Sequence, residues 1–283
     1  MAGDDYVPPP VPSPPEGIPG ELPDEALPEM SGLQDDFESR LDGLISRWPE
    51  LSAPLITSLV DQVAAAEDAG NLVGLQELSL QTFDQAAQIE EVLVAAATWA
   101  AEYAAAEAAD QDVEIGVGRP DRNLLAASAQ VSAATLGAGL VMSATREALR
   151  WWGRRSAPSG AGSLVADAVG THLASLTTAQ SEYVLGGAIT GAQREGRAST
   201  ARAGPSQALY GSEVLDTATC KNCRVIHRKW LGNSDDTNEP WLRTYPVRGY
   251  VHCLGRDRCR GQIVYVWRGG TDWKKWIEKE PWR

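Results

Sequence analysis

The sequence predicts an α+β fold, with a mainly α-helical, alanine-rich body and a small C-terminal β-containing domain. Two observations indicate this. Apolar residues recur at helical spacing over most of residues 31–204, and all four cysteines of the 283-residue chain lie in its last quarter. We therefore divide the chain into an N-terminal arm (1–30), a helical body (31–204) and a C-terminal domain (205–283).

The charge of the chain is unevenly distributed. The formal net charge is −13, and 43% of the residues are hydrophobic, as in a globular protein. From residue 205 onward, 14 Lys+Arg stand against 9 Asp+Glu, a net of +5, so residues 1–204 carry −18 (−13 − 5). A surplus of carboxylates argues against wrapping of nucleic acid by the body. The first residues are not basic and precede no apolar run, so we expect folding in a cytosol without a secretory signal.

The arm, residues 1–30, contains nine of the 17 prolines and seven acidic residues, but no lysine or arginine. Such a composition cannot bury a core and favours an extended, polyproline-like chain. We therefore predict a disordered or extended arm that serves as a tether.

The helical body is predicted from apolar periodicity. The first helices are expected at 33–48, 51–69, 72–80 and 82–110. The last of these is rich in alanine, which has the highest helix propensity. Two glycines and a proline within residues 111–120 predict a loop, after which Asp121 can cap the next helix.

That next helix is predicted at 122–152 and includes an uncharged stretch, residues 123–145, long enough to span a bilayer. Its residues are mostly Ala, Ser, Gly and Thr, which drive membrane insertion only weakly and allow helices to pack closely. We expect a buried helix of a bundle and no stable membrane anchoring; a membrane-active segment is the alternative. Residues 164–203 predict one or two further helices.

The four cysteines form two pairs with metal-ligand spacing. Two residues separate Cys220 from Cys223, a spacing at which a tight turn directs both sulfurs to one ion. Cys253 and Cys259 follow, with five residues between them. Four thiolates satisfy tetrahedral Zn²⁺ and leave no open position, which indicates a structural rather than a catalytic site. The alternatives are unliganded buried cysteines and redox pairing.

The C-terminal domain is small enough to need a metal. Only 250–251 and 262–267 look like strands, and so small a module buries too little apolar surface by itself. Bound zinc contributes on the order of 10 kcal/mol to the folding of such units.

His227 or His252 could replace a cysteine ligand, although each is as well explained as a surface histidine. The tail places Trp273, Trp276 and Trp282 among charges, as a docking arm or as a segment folded back on the module.

Three segments of this domain read Ser-Glu-Val-Leu-Asp-Thr-Ala-Thr-Cys-Lys-Asn-Cys (212–223), Gly-Tyr-Val-His-Cys (249–253) and Arg-Cys-Arg-Gly (258–261). They resemble the C-terminal signature of phage Mu F-like minor head proteins, also called head morphogenesis proteins. The resemblance covers about 80 residues and is specific in the order of its motifs. The five-residue gap in the second cysteine pair departs from the commonest form of the family.

The resemblance implies a structural, non-enzymatic minor capsid protein of a tailed bacteriophage. It implies a place in the virion, at the portal vertex of the head, after assembly in the host cytoplasm. The portal protein and the major capsid protein would be its partners, with packaged DNA a weaker one, and its role would be head assembly and genome delivery.

Two other function classes remain open at this point. A capsid maturation protease would need a nucleophile such as Ser159 or Ser163 beside His172, the one histidine of the body. A zinc-ribbon-like nucleic-acid-binding module is favoured by the charge of +5 in residues 205–283 and opposed by the −18 elsewhere.

Overall fold

The fold is α+β, as predicted: mostly helical, with one small sheet near the C-terminus. A computed structural model describes residues 11, 13–23, 31–154, 164–176, 179–205, 207–212, 220–234, 250–254 and 261–277. The helices are Ser31–Asp68 (α1), Phe83–Asp110 (α2), Arg122–Trp152 (α3), Leu164–Ala174 (α4), Ala179–Ala203 (α5), Lys221–Ile226 (α6) and Thr271–Trp276 (α7). The strands are Gln207–Ser212 (β1), Trp230–Asn233 (β2) and Gln262–Trp267 (β3).

The chain forms two compact units, and each unit is built from separated segments. Unit 1 comprises residues 1–40, 92–125 and 186–283, and unit 2 comprises residues 41–91 and 126–185. The long helices α1, α2, α3 and α5 contribute residues to both. The units therefore follow spatial contacts, whereas the predicted divisions at residues 30 and 204 follow composition along the chain.

Unit 2 is a helical unit with an aliphatic core. Segments of α1, α3 and α4 meet in it, together with the connection after α1; its buried residues include Leu59, Val63, Leu75, Leu140, Ala144, Val165 and Val169. The Glu67 carboxylate accepts hydrogen bonds from the backbone N–H groups of Val165 (3.1 Å) and Ala166 (3.3 Å). These are donors that the first turn of α4 leaves without a helical acceptor, so Glu67 ties the end of α1 to the start of α4.

Helix α1 is one helix where the sequence predicts two. It runs through Pro49 and Pro54, and each proline removes a helical hydrogen bond. The apolar stripe nevertheless continues across both prolines; its buried members are Leu44, Trp48, Leu55, Leu59 and Val63. Burial of that continuous face outweighs the lost bonds. The predicted helix at 72–80 is also corrected, since the structure has only a short 3-10 turn at Gly74–Gln76.

In unit 1, helices α2 and α5 approach closely because small residues line their contact. Six alanines of α2 are completely buried: Ala96, Ala97, Ala100, Ala101, Ala104 and Ala108. A Cβ atom added at Gly196 of α5 would overlap the backbone carbonyl of Ala97. The Thr200 hydroxyl donates to the Ala101 carbonyl (2.9 Å) and accepts from the Gly118 N–H (2.9 Å), so it joins α5 to α2 and to the loop that follows.

The sheet of unit 1 is antiparallel, in the order β2-β1-β3, with a register shift between Leu209 and Tyr210 where β1 meets β2. One face packs against the ends of α2 and α5 and against the cysteines; its core includes Ala108, Ala201, Leu209, Cys223, Cys253, Tyr265 and Trp267. The opposite face carries a second cluster that includes Leu22, Tyr210, Trp230, Val264, Val266 and Ile277. Both faces of the sheet are therefore largely buried.

Strand β3 agrees with the predicted strand at 262–267, whereas 250–251 is not a strand. Tyr250 and Val251 instead begin a turn, in which the Cys253 N–H donates to the Tyr250 carbonyl (2.9 Å). Strands β1 and β2 were not predicted. Of the tryptophan tail, Trp273 and Trp276 in α7 pack against the second cluster, and Trp282 lies outside the described residues.

The described part of the predicted arm makes a turn at Glu16–Gly17 and then lies along this sheet. Ile18 and Leu22 pack on the second cluster, and Leu22 is only 1% exposed. Residues 1–10, 12 and 24–30 lie outside the described residues. Most of the residues for which the arm is predicted therefore lie outside the described residues, and for them the arm stays a prediction.

Helix α3 begins and ends where the sequence predicts it. Asp121 caps it, since its carboxylate accepts from the N–H groups of Asn123 (2.9 Å) and Leu124 (3.3 Å). In the described part of the chain, α3 is the one helix long and apolar enough to cross a bilayer, by length and composition only. In its most apolar stretch of 18 residues, 44% are buried within the fold.

Candidate metal centre

The first cysteine pair is positioned by the start of α6. Cys220 is the residue that precedes the helix, with extended backbone angles (φ −69°, ψ 156°), and its Sγ accepts a hydrogen bond from the Cys223 N–H at 3.4 Å. A thiolate here takes the place of the Ser, Thr or Asp side chain that commonly caps a helix. Cys223 lies within the first turn, so the helical start directs both sulfurs to one side.

The second cysteine segment is brought to the first by a buried amide. The Asn222 side chain, 2% exposed, donates from Nδ2 to the His252 carbonyl at 2.8 Å. The next residue is Cys253, whose N–H closes the turn that begins at Tyr250. Asn222 therefore joins the two cysteine segments, 30 residues apart in sequence, by a direct hydrogen bond.

The three sulfurs lie at distances that suit a metal ion. The Cys220 and Cys253 Sγ atoms are 3.9 Å apart, and the Sγ atoms of Cys220, Cys223 and Cys253 all lie within 4.8 Å of one another. A tetrahedral ion with metal–sulfur bonds of about 2.3 Å separates its ligands by about 3.8 Å. The observed spacing is close to that value, so small side-chain rotations would bring these three thiolates onto one ion.

The surroundings of the site favour bound thiolates. Burial opposes ionisation of Cys220, but hydrogen bonds from the backbone N–H groups of Cys223 and Leu254 lower the pKa of its thiol. Cys223 and Cys253 are buried in the core that they share with Leu231 and Tyr265. The arrangement can therefore hold a cation of soft ligand preference in a place sheltered from water.

Three of the four predicted ligands thus come together. Cys259 lies outside the described residues, so its part in the site stays a prediction. His252 packs edge-on against Tyr250, with ring centroids 5.4 Å apart, and His227 follows the end of α6. Their substitution for a cysteine ligand also stays a prediction.

The described residues do not bring together the side chains that a protease would need. Ser159 and Ser163 lie outside the described residues, and His172 is half-buried near the end of α4. The protease reading therefore gains no geometric support from the described residues.

Sequence reasoning missed the residues that brace the site. In the sequence, Asn222 is only one of the two residues between Cys220 and Cys223, and Arg194 and Arg197 lie within the predicted helical segment 164–203. Both arginines are buried: Arg194 donates from Nε to the Gly261 carbonyl (2.9 Å), and Arg197 donates to the Ile263 carbonyl (2.5 Å). Two arginines three residues apart on a helix are common on solvated faces, so the sequence offered no signal for their burial.

In comparisons with known proteins, no family model matches this chain, and no curated protein and no solved structure matches it.

Proposed function

We propose that this chain is a structural minor head protein of a tailed bacteriophage, located at the portal vertex and engaged in head assembly and genome delivery. In this proposal its C-terminal domain is held together by Zn²⁺, with Cys220, Cys223, Cys253 and Cys259 as ligands. The observation that carries the proposal is the meeting of three thiols from two distant segments.

Zinc is supported by the chemistry of the donor set. Thiolates are soft ligands that favour zinc among the common cellular divalent ions, and two cysteines separated by two residues are a frequent half of a structural zinc site. Four protein ligands would leave no position for water or substrate. The ion would therefore stabilise the domain and take no part in turnover.

The role in a phage head is supported by the resemblance to Mu F-like minor head proteins. The residues that carry the resemblance include the three clustered cysteines: Cys220 and Cys223 complete the Asp-x-x-Thr-Cys-x-x-Cys order at 216–223, and Cys253 ends the Gly-Tyr-Val-His-Cys segment at 249–253. A metal-stabilised module on a helical body suits a protein whose work is to contact other proteins, namely the portal and major capsid proteins.

Metal content tests the zinc site. We expect about one zinc per chain in the purified protein, with loss of zinc and of thermal stability in Cys220→Ser and Cys253→Ser. Lys221→Ser is the matched control, because Lys221 is exposed between two ligands and offers no sulfur. Wild-type protein without metal, and with a melting curve unchanged by the cysteine substitutions, would leave these residues as ordinary core thiols.

Particle composition tests the role in the head. We expect the chain in purified virions by mass spectrometry and in complexes captured with the portal protein of the same phage. Steeply salt-dependent binding to duplex DNA without portal capture would favour the nucleic-acid-binding alternative. Loss of head-protein processing in a Ser159→Ala or Ser163→Ala phage would favour the protease.

A further inference from the structure

The segment Ile18–Leu22 adds main-chain pairing to the outer edge of the sheet at the start of β2. The Leu22 N–H donates to the Arg228 carbonyl (3.0 Å), and the Trp230 N–H donates to the Gly20 carbonyl (3.0 Å). Glu21 and Lys229 form an antiparallel bridge between them. This segment, called here the docked segment, therefore acts as a short added strand.

Side chains anchor the docked segment in the second cluster. Leu22 is buried beside Trp230, Val264 and Val266, and Ile18 packs at the rim. The Tyr210 hydroxyl donates to the Pro19 carbonyl at 3.0 Å. Main-chain pairing supplies affinity and an anchoring side chain supplies register, which is how extended peptides bind to sheet edges.

Charge adds a sequence requirement. The Glu21 carboxylate pairs with both Arg228 and Lys229, whose hydrogen bonds lower the pKa of Glu21 and keep it ionised. A segment docked here must therefore bring an acidic residue directly before its apolar anchor. Within the arm, whose seven acids are accompanied by no lysine or arginine, Glu21 and Leu22 meet that requirement.

The two outer edges of the sheet are closed in different ways. At β3 the closing groups are buried side chains: Gln111 donates to the Tyr265 carbonyl (3.0 Å) and accepts from the Trp267 N–H (3.1 Å), and Arg197 donates to the Ile263 carbonyl. Among the residues described, the start of β2 is closed by the main chain of the arm. That edge is therefore the one a separate segment can pair with.

We infer that the start of β2 is a strand-accepting site, and that it takes the docked segment of a second copy of this chain. All the pairing groups lie within five consecutive residues, and a second copy carries the same five. Seven residues, 24–30, join the docked segment and Pro23 to α1, so exchange between copies requires only a different path for this connection. This inference does not rest on the metal site or on the proposed role in a phage.

Charge reversal in the full-length chain tests the inference. One variant carries Glu21→Lys in the arm, and the other carries Arg228→Glu with Lys229→Glu in the sheet edge. The unaltered chain should form a dimer of twice 30.3 kDa by light scattering, and a monomer would refute the inference. Each variant alone has a mismatched arm and should be monomeric. An equimolar mixture should form a complex of twice 30.3 kDa by light scattering, because exchange matches both arms at once.

A labelled peptide of residues 13–23 provides a second readout. The Arg228→Glu/Lys229→Glu chain should bind the peptide with Glu21→Lys at least about tenfold more tightly than the unaltered peptide. The chain that combines all three substitutions again has an arm whose charge is opposite to that of its sheet edge. This chain is therefore the folding control, and its own arm should compete with both peptides for the edge. Equal binding of the two peptides by the edge variant would refute the strand-accepting site. Reversed peptide preference with no mixed dimer would refute the second copy as the occupant and indicate a foreign acidic segment.

Discussion

The buried ion pair between Arg197 and Glu107 permits the sharpest prediction about stability. The Arg197 side chain, 1% exposed, lies 2.5 Å from the Glu107 carboxylate and 2.5 Å from the Ile263 carbonyl, and its guanidinium stacks 5.1 Å from the centre of the Tyr265 ring. Arg197→Met removes the cation and leaves a buried carboxylate without its partner. Breaking a buried pair on one side costs about 3–5 kcal/mol of unfolding free energy.

A double-mutant cycle separates this mechanism from a simple loss of packing. Replacing both partners, as Arg197→Met with Glu107→Leu, removes the buried charges together and should cost only about 0–2 kcal/mol. The more exposed pair Arg150–Glu147 provides the control, since the Arg150 side chain is 58% exposed and lies 3.5 Å from the carboxylate; Arg150→Met should cost less than about 1 kcal/mol. Urea unfolding followed by far-UV circular dichroism measures four variants: Arg197→Met, Glu107→Leu, the double variant and Arg150→Met. A double variant as unstable as Arg197→Met alone would refute the reasoning.

The pair also predicts a pH dependence. Burial raises the pKa of Glu107, and Arg197 works against that rise. Without Arg197 the pKa of Glu107 rises further above its unfolded value. A group with a raised folded pKa contributes its stability below the unfolded pKa and loses it as pH rises through the folded pKa. The penalty of Arg197→Met should therefore be smaller at pH 5 than at pH 8, and a penalty independent of pH would contradict this account.

Three further predictions follow from contacts elsewhere in the chain. Asn222→Ala should weaken zinc binding about 10- to 100-fold in a chelator competition, because it removes the hydrogen bond that holds the two cysteine segments together. The zinc stoichiometry should stay unchanged, because Asn222 is not a ligand. Unchanged zinc affinity would show that this hydrogen bond does not preorganise the cysteines. Gly196→Ala should cost about 3 kcal/mol in thermal or urea unfolding through overlap with Ala97, whereas Gly43→Ala, with open space around it, should stabilise by about 0.5–1 kcal/mol. Because pairing with Lys229 and Arg228 lowers the pKa of Glu21, its contribution is present at neutral pH and is lost as pH falls through the folded pKa, so the hydrogen-exchange protection factor of the Leu22 amide should fall over that range.

The helices were largely predictable because their signals are local. Alanine content and apolar spacing placed α2 and α3 to within a residue, and Asp121 marked the start of α3. The separate helices expected at 33–48 and 51–69 are one helix, because the buried apolar stripe continues across Pro49 and Pro54 and outweighs the hydrogen bonds that these prolines remove. The strands β1 and β2 escaped prediction because they are short, contain glycine and are buried on both faces, so they lack alternation.

The candidate site was predictable only in its ligands. Cysteine count and spacing selected Cys220, Cys223 and Cys253, and the structure brings their sulfurs together. The groups that hold them depend on contacts between distant segments, as with Asn222 and the His252 carbonyl. The docking of Glu21 at Lys229 joins residues 208 apart, and neither residue type announces such a contact in a sequence.

The distance along the chain between the docked segment and its edge has a consequence for biosynthesis. At 5–20 residues per second, a ribosome needs roughly 10–40 s to pass from residue 21 to residue 229. For most of that interval the arm is outside the exit tunnel while the strand that accepts it does not yet exist. On a message read by several ribosomes, each waiting arm is presented to sheets completed on neighbouring chains before its own, so exchange between copies can begin during translation.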